Sequence, residues 1–386
     1  MRETVGRNKE WRRAYAFDDI SLVPSAVTVD PRDLDISTGL GSLGLEIPFL
    51  ASAMDGVVNV GFAVALSQLG GLAVLNGEGV SSRYENPDEV VQRIADAPKE
   101  KVVDVIREIY RQPFRPELLA RTLKHIKAQG EKVAVSATPK LARQILQIAQ
   151  ELSLDLFVVQ ATIVTARHKT SSGEPLDLAD LLRGAEMPTA VGNCVTYEAA
   201  LELMQTGAQG VLVGVGPGAA CTTRRVLGVG VPQVTAIIDV AAARDDFFAN
   251  TGRRVSVIAD GGMRSGGDIA KAIACGADAV MLGSPFAATR EAAGKGYNWG
   301  MATADPLLPR GTRVRMARDI TLNQLIFGPA ATDEGTENLA GALRLAMAVC
   351  GATDIEQMQH AQAVIAPSIG AEGKREQREQ GVGMGK

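Results

Sequence analysis

Apolar residues arrive in short bursts along this chain, each five to eight residues long and each bounded by glycine, proline or a polar loop. There are eight: IPFLASAM (47–54), GLAVLN (71–76), KVAVSA (132–137), LDLFVVQ (154–160), PTAVG (188–192), GVLVG (210–214), VSVIAD (255–260) and DAVMLG (278–283). Longer stretches between them, such as PKLARQILQIAQEL (139–152) and TYEAALELMQTG (196–207), repeat apolar residues three and four positions apart, as a helix with one apolar stripe requires. The alternation predicts parallel strands joined by crossover helices, and eight such units predict a (β/α)8 TIM barrel. An open, doubly wound sheet would read the same way strand by strand.

Three regions fall outside this rhythm: an enlarged, charge-rich connection at 77–131, a Gly- and Pro-punctuated stretch at 291–335, and a polar tail at 366–386. The second is a candidate catalytic flap, since long loops in compact enzymes tend to be functional; the third is expected to be mobile. The chain therefore reads as one barrel domain, 1–386, with additions. With 46% apolar but only 4% aromatic residues and 41 glycines, the interior is built from aliphatic side chains and many tight turns. A net charge of −4 leaves no basic face for a nucleic-acid backbone, while a small anionic ligand remains compatible. Cys194, Cys221, Cys275 and Cys350 show no CxxC spacing, so neither a disulfide framework nor a structural zinc site is expected. The start lacks a signal-peptide core and no segment has 18 uncharged apolar residues in a row, so a soluble, cytoplasmic protein without membrane partners is expected.

Barrel chemistry sits at the C-terminal ends of the strands. The sixth burst runs into GVGPGAACTTRRVLGVGVPQ (214–233), where glycines and a proline precede Cys221, and Thr222, Thr223, Arg224 and Arg225 follow it. A thiol on such a loop, near cations and ahead of a helix, is a candidate nucleophile. The seventh and eighth bursts end in ADGGMRSGGD (259–268) and MLGSPF (281–286), whose glycines and Ser284 offer donors to a phosphate. Asp260 could accept hydrogen bonds from two neighbouring ribose hydroxyls. Ser52 and Met54 end the first burst and Asn193 follows the fifth, each weak evidence alone, stronger on one face of one ring.

In order and spacing, FDDISLVPS (17–25), ASAMDGVV (51–58), VGNCVT (191–196), the cysteine loop and IADGGMRSGGDIAKAIACGADAVMLGS (258–284) resemble the motifs of IMP dehydrogenases and GMP reductases. The resemblance implies that Cys221 attacks C2 of a purine base, with Thr223 beside the hydrolytic water. It implies substrate contacts at Ser52, Met54, Gly218, Asp260, Gly261, Gly262, Gly283, Ser284, Tyr297, Gly300 and Met301, and NAD contacts at Gln160, Thr162, Asn193 and Gly214. Main-chain oxygens of Gly216, Gly218 and Cys221 would hold a monovalent cation such as potassium, and relatives assemble as homotetramers or octamers. Four departures stand out. Residues 77–131 are too few for the pair of CBS regulatory domains usual in dehydrogenases, which points to the subfamily lacking them. A family serine is Ala219 here, and the acid that binds the cofactor ribose is Gln160. The usual phosphate tyrosine aligns with Asn298, next to Tyr297.

Within this resemblance the flap separates the activities. A dehydrogenase oxidises IMP to XMP with NAD and uses an Arg-Tyr pair to activate water; a reductase converts GMP to IMP with NADPH and uses a glutamate. The stretch LPRGTRVRMARD (308–319) offers Arg310, Arg313, Arg315 and Arg318 but no carboxylate before Asp319. That favours a dehydrogenase with Arg310 or Arg313 as water activator, the alternatives being a reductase or a catalytically silent nucleotide-binding barrel.

Overall fold

A computed structural model describes residues 2–5, 9–169, 176–300, 312–316, 319–367 and 372–383. Eight parallel strands close into a barrel: β1 (Phe49–Ala51), β2 (Leu72–Asn76), β3 (Ala134–Ala137), β4 (Leu156–Gln160), β5 (Thr189–Cys194), β6 (Gly210–Val213), β7 (Ser256–Asp260) and β8 (Ala279–Leu282). Each lies inside or overlaps one apolar burst. Pairing runs in chain order and closes with Val280 opposite Phe49, so the open-sheet alternative is not adopted.

The strands read as unbroken apolar runs because their two faces enter different cores. Leu50, Leu72, Val74, Leu156, Val158, Leu212, Ile258 and Met281 point into the barrel, while their neighbours Phe49, Leu75, Val135, Phe157, Val159, Val211, Val257 and Val280 meet the surrounding helices. A side-chain period of two places every strand residue in one layer or the other. The amphipathic stretches form the expected helices, Ala142–Glu151 and Tyr197–Gln205 among them.

The amino-terminal end of the barrel is plugged by a hairpin, Thr38–Leu40 and Leu43–Leu45, whose Leu40, Leu43 and Leu45 join the inner core. Asp278, buried beside it, accepts from Arg244 Nη1 at 3.1 Å, Arg254 Nη2 at 2.9 Å, Gln359 Nε2 at 3.1 Å and the Val257 amide at 2.7 Å. Each oxygen is thereby saturated, as a buried carboxylate requires.

The 77–131 connection folds into three helices, Pro87–Asp96, Val102–Tyr110 and Pro116–Lys127. The first two build a small core of their own from Val80, Val91, Ile94, Val102, Ile106, Ile109 and Tyr110, and Trp299 from far along the chain completes it. Trp299 lies in a two-stranded hairpin, Tyr297–Trp299 against Arg313–Arg315. The polar tail carries a short helix, Arg375–Gln380, with an Arg375–Glu379 ion pair one turn apart. Among the described residues no helix is long and apolar enough to cross a membrane.

Candidate active site

β6 ends at Val213, and the chain then turns sharply through Gly214 and Gly216, whose φ values are +152° and +76°. A Cβ at Gly214 would sit 2.3 Å from the Asp260 carbonyl oxygen, so the loop approaches β7 as only glycine permits. Arg224 closes the loop from inside, donating from Nε to the Val215 oxygen (3.1 Å) and from Nη2 to the Val231 oxygen (2.7 Å). Partial burial of this guanidinium lowers its pKa.

Cys221 stands exposed on that loop; its amide donates to the Gly218 oxygen, and its Sγ lies 3.2 Å from Thr223 Oγ1. The thiol donates this bond, and the hydroxyl would donate it to a thiolate. The other cysteines differ: burial pushes Cys194 and Cys275 up to about 12 and also raises Cys350. Inert thiols of that kind are structural.

The loop overhangs a cavity of about 310 Å³ at the carboxyl ends of the strands. Ser52, Met54, Gln160, Thr162, Asn193, Gly214, Gly216, Gly218, Cys221, Thr223, Asp260, Gly261, Gly262, Gly283, Ser284 and Gly300 all line it, drawn from the ends of six strands of the ring and from the hairpin. Gly261 and Gly262 have φ of +79° and +84°, and Gly283 abuts Met54 and Ser52. Such turns, followed by helix Gly266–Ala274 and the short helix Ser284–Ala287, suit main-chain donation to a phosphate.

Asp260 organises the floor. Its Oδ2 accepts from Asn193 Nδ2 at 2.8 Å and Gln160 Nε2 at 3.1 Å, and Gln160 Nε2 also reaches Asn193 Oδ1 at 3.2 Å. Withdrawal from water pushes the Asp260 carboxyl up to about 6, opposed by hydrogen bonds from Asn193, Ser52 and Gln160. Three amide oxygens in this region, Gln160 Oε1, Gln233 Oε1 and Asn298 Oδ1, are buried without a partner. Gln160 and Asn298 line the cavity, and Gln233 lies directly behind Gly214. Acceptors left open at a cavity fit a ligand that brings donors.

Other expected residues lie elsewhere. Arg310 and Met301 are outside the described residues, as is Arg318. Tyr297 does not line the cavity; strand alternation turns it and Trp299 toward the 77–131 helices and leaves Asn298 at the cavity wall. Arg313, read from sequence as a water activator, is committed elsewhere: Nη1 donates to the Ile94 and Ala95 oxygens, and the guanidinium sits 4.4 Å from the Tyr297 ring centroid. Arg315 is exposed. Asn298, Arg264, Val226 and Leu227 line the cavity without having been singled out as contacts. The period of two in YNW carried the signal for Asn298; for Arg264 the local sign is Asp268 four residues on, while its other partner, Asp18, meets it only in the fold.

A family model, IMP dehydrogenase / GMP reductase domain, matches residues 14–303. The chain belongs to the IMP dehydrogenase/GMP reductase family. It is 38% identical to an "uncharacterized oxidoreductase" of Mycolicibacterium smegmatis over 92% of this chain and 97% of the relative. It is 31% identical to an inosine-5'-monophosphate dehydrogenase of Methanocaldococcus jannaschii, covering 91% of this chain and 92% of that one. A crystal structure of an IMP dehydrogenase/GMP reductase-like protein from Corynebacterium glutamicum superposes with a TM-score of 0.89 at 36% identity, covering 95% of this chain and 98% of the other. An oxidoreductase of this family, built on a TIM barrel, accounts for both the fold and the location of the cavity.

Proposed function

We propose that this protein oxidises IMP to XMP with NAD, using Cys221 as a covalent nucleophile. The observation that carries the reading is the placement of an exposed thiol on a glycine-rich loop across one cavity from Asp260 and the Gly262 and Ser284 turns. In this reading the turns grip the phosphate, and Asp260 accepts from the ribose hydroxyls. The base is thereby set against Cys221. Its sulfur would bond to C2, and once C2 has lost hydride, water would attack that carbon, breaking the carbon–sulfur bond and releasing XMP. Thr223, 3.2 Å from the sulfur, is placed to donate to the thiolate before and after the cycle.

The nicotinamide dinucleotide, when bound, supplies the hydride acceptor. Gln160, Thr162, Asn193 and Gly214 are the residues assigned to it, and the unpartnered Gln160 Oε1 fits a donor from such a ligand. The neutral main-chain oxygens of Gly216, Gly218 and Cys221, on one turn, suit a monovalent cation that would stiffen the loop. Among the described residues no group of three or more His, Cys, Asp or Glu gathers to hold a metal.

The dehydrogenase is favoured over the reductase because the hairpin strand Arg313–Arg315 brings no carboxylate, and Asp319 is tied to Arg290 Nε at 2.7 Å. Water activation falls to Arg310 in this reading, since Arg313 faces away. Mixing the protein with IMP and NAD, and separately with GMP and NADPH, while following absorbance of the reduced cofactor, decides the matter. Turnover of the first pair is expected; turnover of the second alone would make it a reductase, and tight nucleotide binding without turnover of either would make it a silent barrel.

A further inference from the structure

We propose that the helical connection between β2 and β3 braces the hairpin that presents Asn298 to the cavity, with Tyr110 and Arg313 as positioning residues. The brace has three parts. Trp299, 1% exposed, fills the small core of the two connection helices and donates from Nε1 to Tyr110 Oη at 3.0 Å. Tyr110 in turn donates to Asp55 Oδ2, which also accepts from the Val80 amide at 3.2 Å. Asp55 directly follows the cavity residue Met54, so one buried chain of hydrogen bonds ties the end of β1, the connection and the hairpin together.

On the opposite hairpin strand, Arg313 faces Trp299 in the register and donates to the Ile94 and Ala95 oxygens at the end of helix Pro87–Asp96. A guanidinium there adds a donor to the Ile94 oxygen, which the Ala97 amide also reaches, and one to the Ala95 oxygen, and it suits the helix's negative end. Its cation–π contact with Tyr297 adds a second hold on the same strand as Trp299. Backbone contacts complete the fit: Gly294 donates to the Gly56 oxygen, and a Cβ at Gly56 would press on Trp299 and the Tyr297 carbonyl at 3.0–3.2 Å.

With Tyr297 and Trp299 both anchored outward, alternation leaves Asn298 between them at the cavity, 1% exposed, with an unpartnered Oδ1. Among the described residues no side chain in the cavity is hydrogen-bonded to that oxygen, so the connection behind the strand is what holds the amide in place. Mutating the brace should therefore weaken nucleotide binding without touching the thiol chemistry. The catalytic consequence rests on the cavity being the nucleotide site, whereas the brace itself does not.

The chain has two tryptophans, so Trp11→Phe leaves Trp299 as the sole reporter. In that background Tyr110→Phe is expected to red-shift Trp299 emission and raise KM for the nucleotide about tenfold while kcat stays within about twofold, the signature of lost binding rather than lost chemistry. Arg313→Ala should do the same, and Arg313→Lys, whose ammonium can still cap the helix carbonyls, should restore most of the affinity. Ile106→Val thins the same small core without removing a hydrogen bond and serves as the control for mere destabilisation. The proposal is overturned if Ile106→Val raises KM as much as Tyr110→Phe, or if Tyr110→Phe leaves KM unchanged. Should wild-type protein bind no purine nucleotide, the functional reading fails while the brace is still decided by hydrogen exchange. Peptides covering 294–300 and 312–316 should then exchange at least about fivefold faster in Tyr110→Phe than in Ile106→Val, and equal rates would end the idea.

Discussion

The two ends of this barrel hold aspartates in opposite circumstances, Asp278 buried and Asp260 half-buried at a cavity. At the amino-terminal end Asp278 meets two guanidiniums, an amide side chain and a main-chain amide, and the Leu40–Leu45 hairpin seals the ring beside it. At the carboxyl end Asp260 faces a cavity, shares its Oδ2 between two neutral amides, has no cation hydrogen-bonded to it among the described residues, and has its carboxyl pushed up to about 6. Neighbouring strands supply them, Asp260 at the end of β7 and Asp278 just ahead of β8, so the difference lies in their partners. A saturated ion cluster ties the closed end together, whereas a carboxylate held by neutral donors alone, beside open amide oxygens, suits a ligand that brings donors.

The largest expected effect tests the open end. Cys221→Ala should lower turnover by about 10⁴-fold or more while leaving nucleotide affinity within a few-fold, as steady-state kinetics and calorimetry would read; substantial residual turnover would remove the covalent mechanism. Next comes the closed end. Asp278→Ala leaves Arg244 buried, with its side chain 5% exposed, and should cost about 3–5 kcal/mol in chemical denaturation.

Asp260→Asn sharpens the contrast because its sign is opposite. A carboxyl whose folded pKa is raised adds stability below its unfolded pKa, and that contribution is lost as pH rises through about 6. The variant should therefore melt at or above the wild-type temperature at pH 8 while binding nucleotide poorly. Wild-type affinity should run the other way with pH, since only the ionised form accepts from both ribose hydroxyls. Below pH 6 it should fall by up to about tenfold per unit, and inosine in place of IMP removes the phosphate's own titration from the measurement. A flat profile would separate Asp260 from the ribose. The smallest effect expected is that of Thr223→Val, a roughly tenfold fall in kcat with KM held, because one hydrogen bond to the sulfur is lost.

Much of this was legible before the structure. Cys221 announced itself by the glycines ahead of it and the threonines and arginines after it, all within one loop, and the Gly261–Gly262 and Gly283–Ser284 turns did so at two strand ends. Tyr297 misled because an aromatic residue beside an expected contact draws attention, whereas the pleat turns its neighbour Asn298 inward. Arg313 misled because a cation near a catalytic stretch has several possible partners, and the helix end it caps lies some 220 positions earlier.

By itself the sequence determined what repeats locally: strands buried on both faces, helices with one apolar stripe, and turns that demand glycine, because each of these leaves its mark within a few neighbouring residues. Only the tertiary structure decided how distant residues meet: Asp260 with Asn193 and Gln160, Asp278 with the arginines under the plug, and Trp299 with Tyr110 and Asp55. Closing the ring brings such groups together, and a polar side chain's role follows from its partners, which lie beyond the reach of any local pattern.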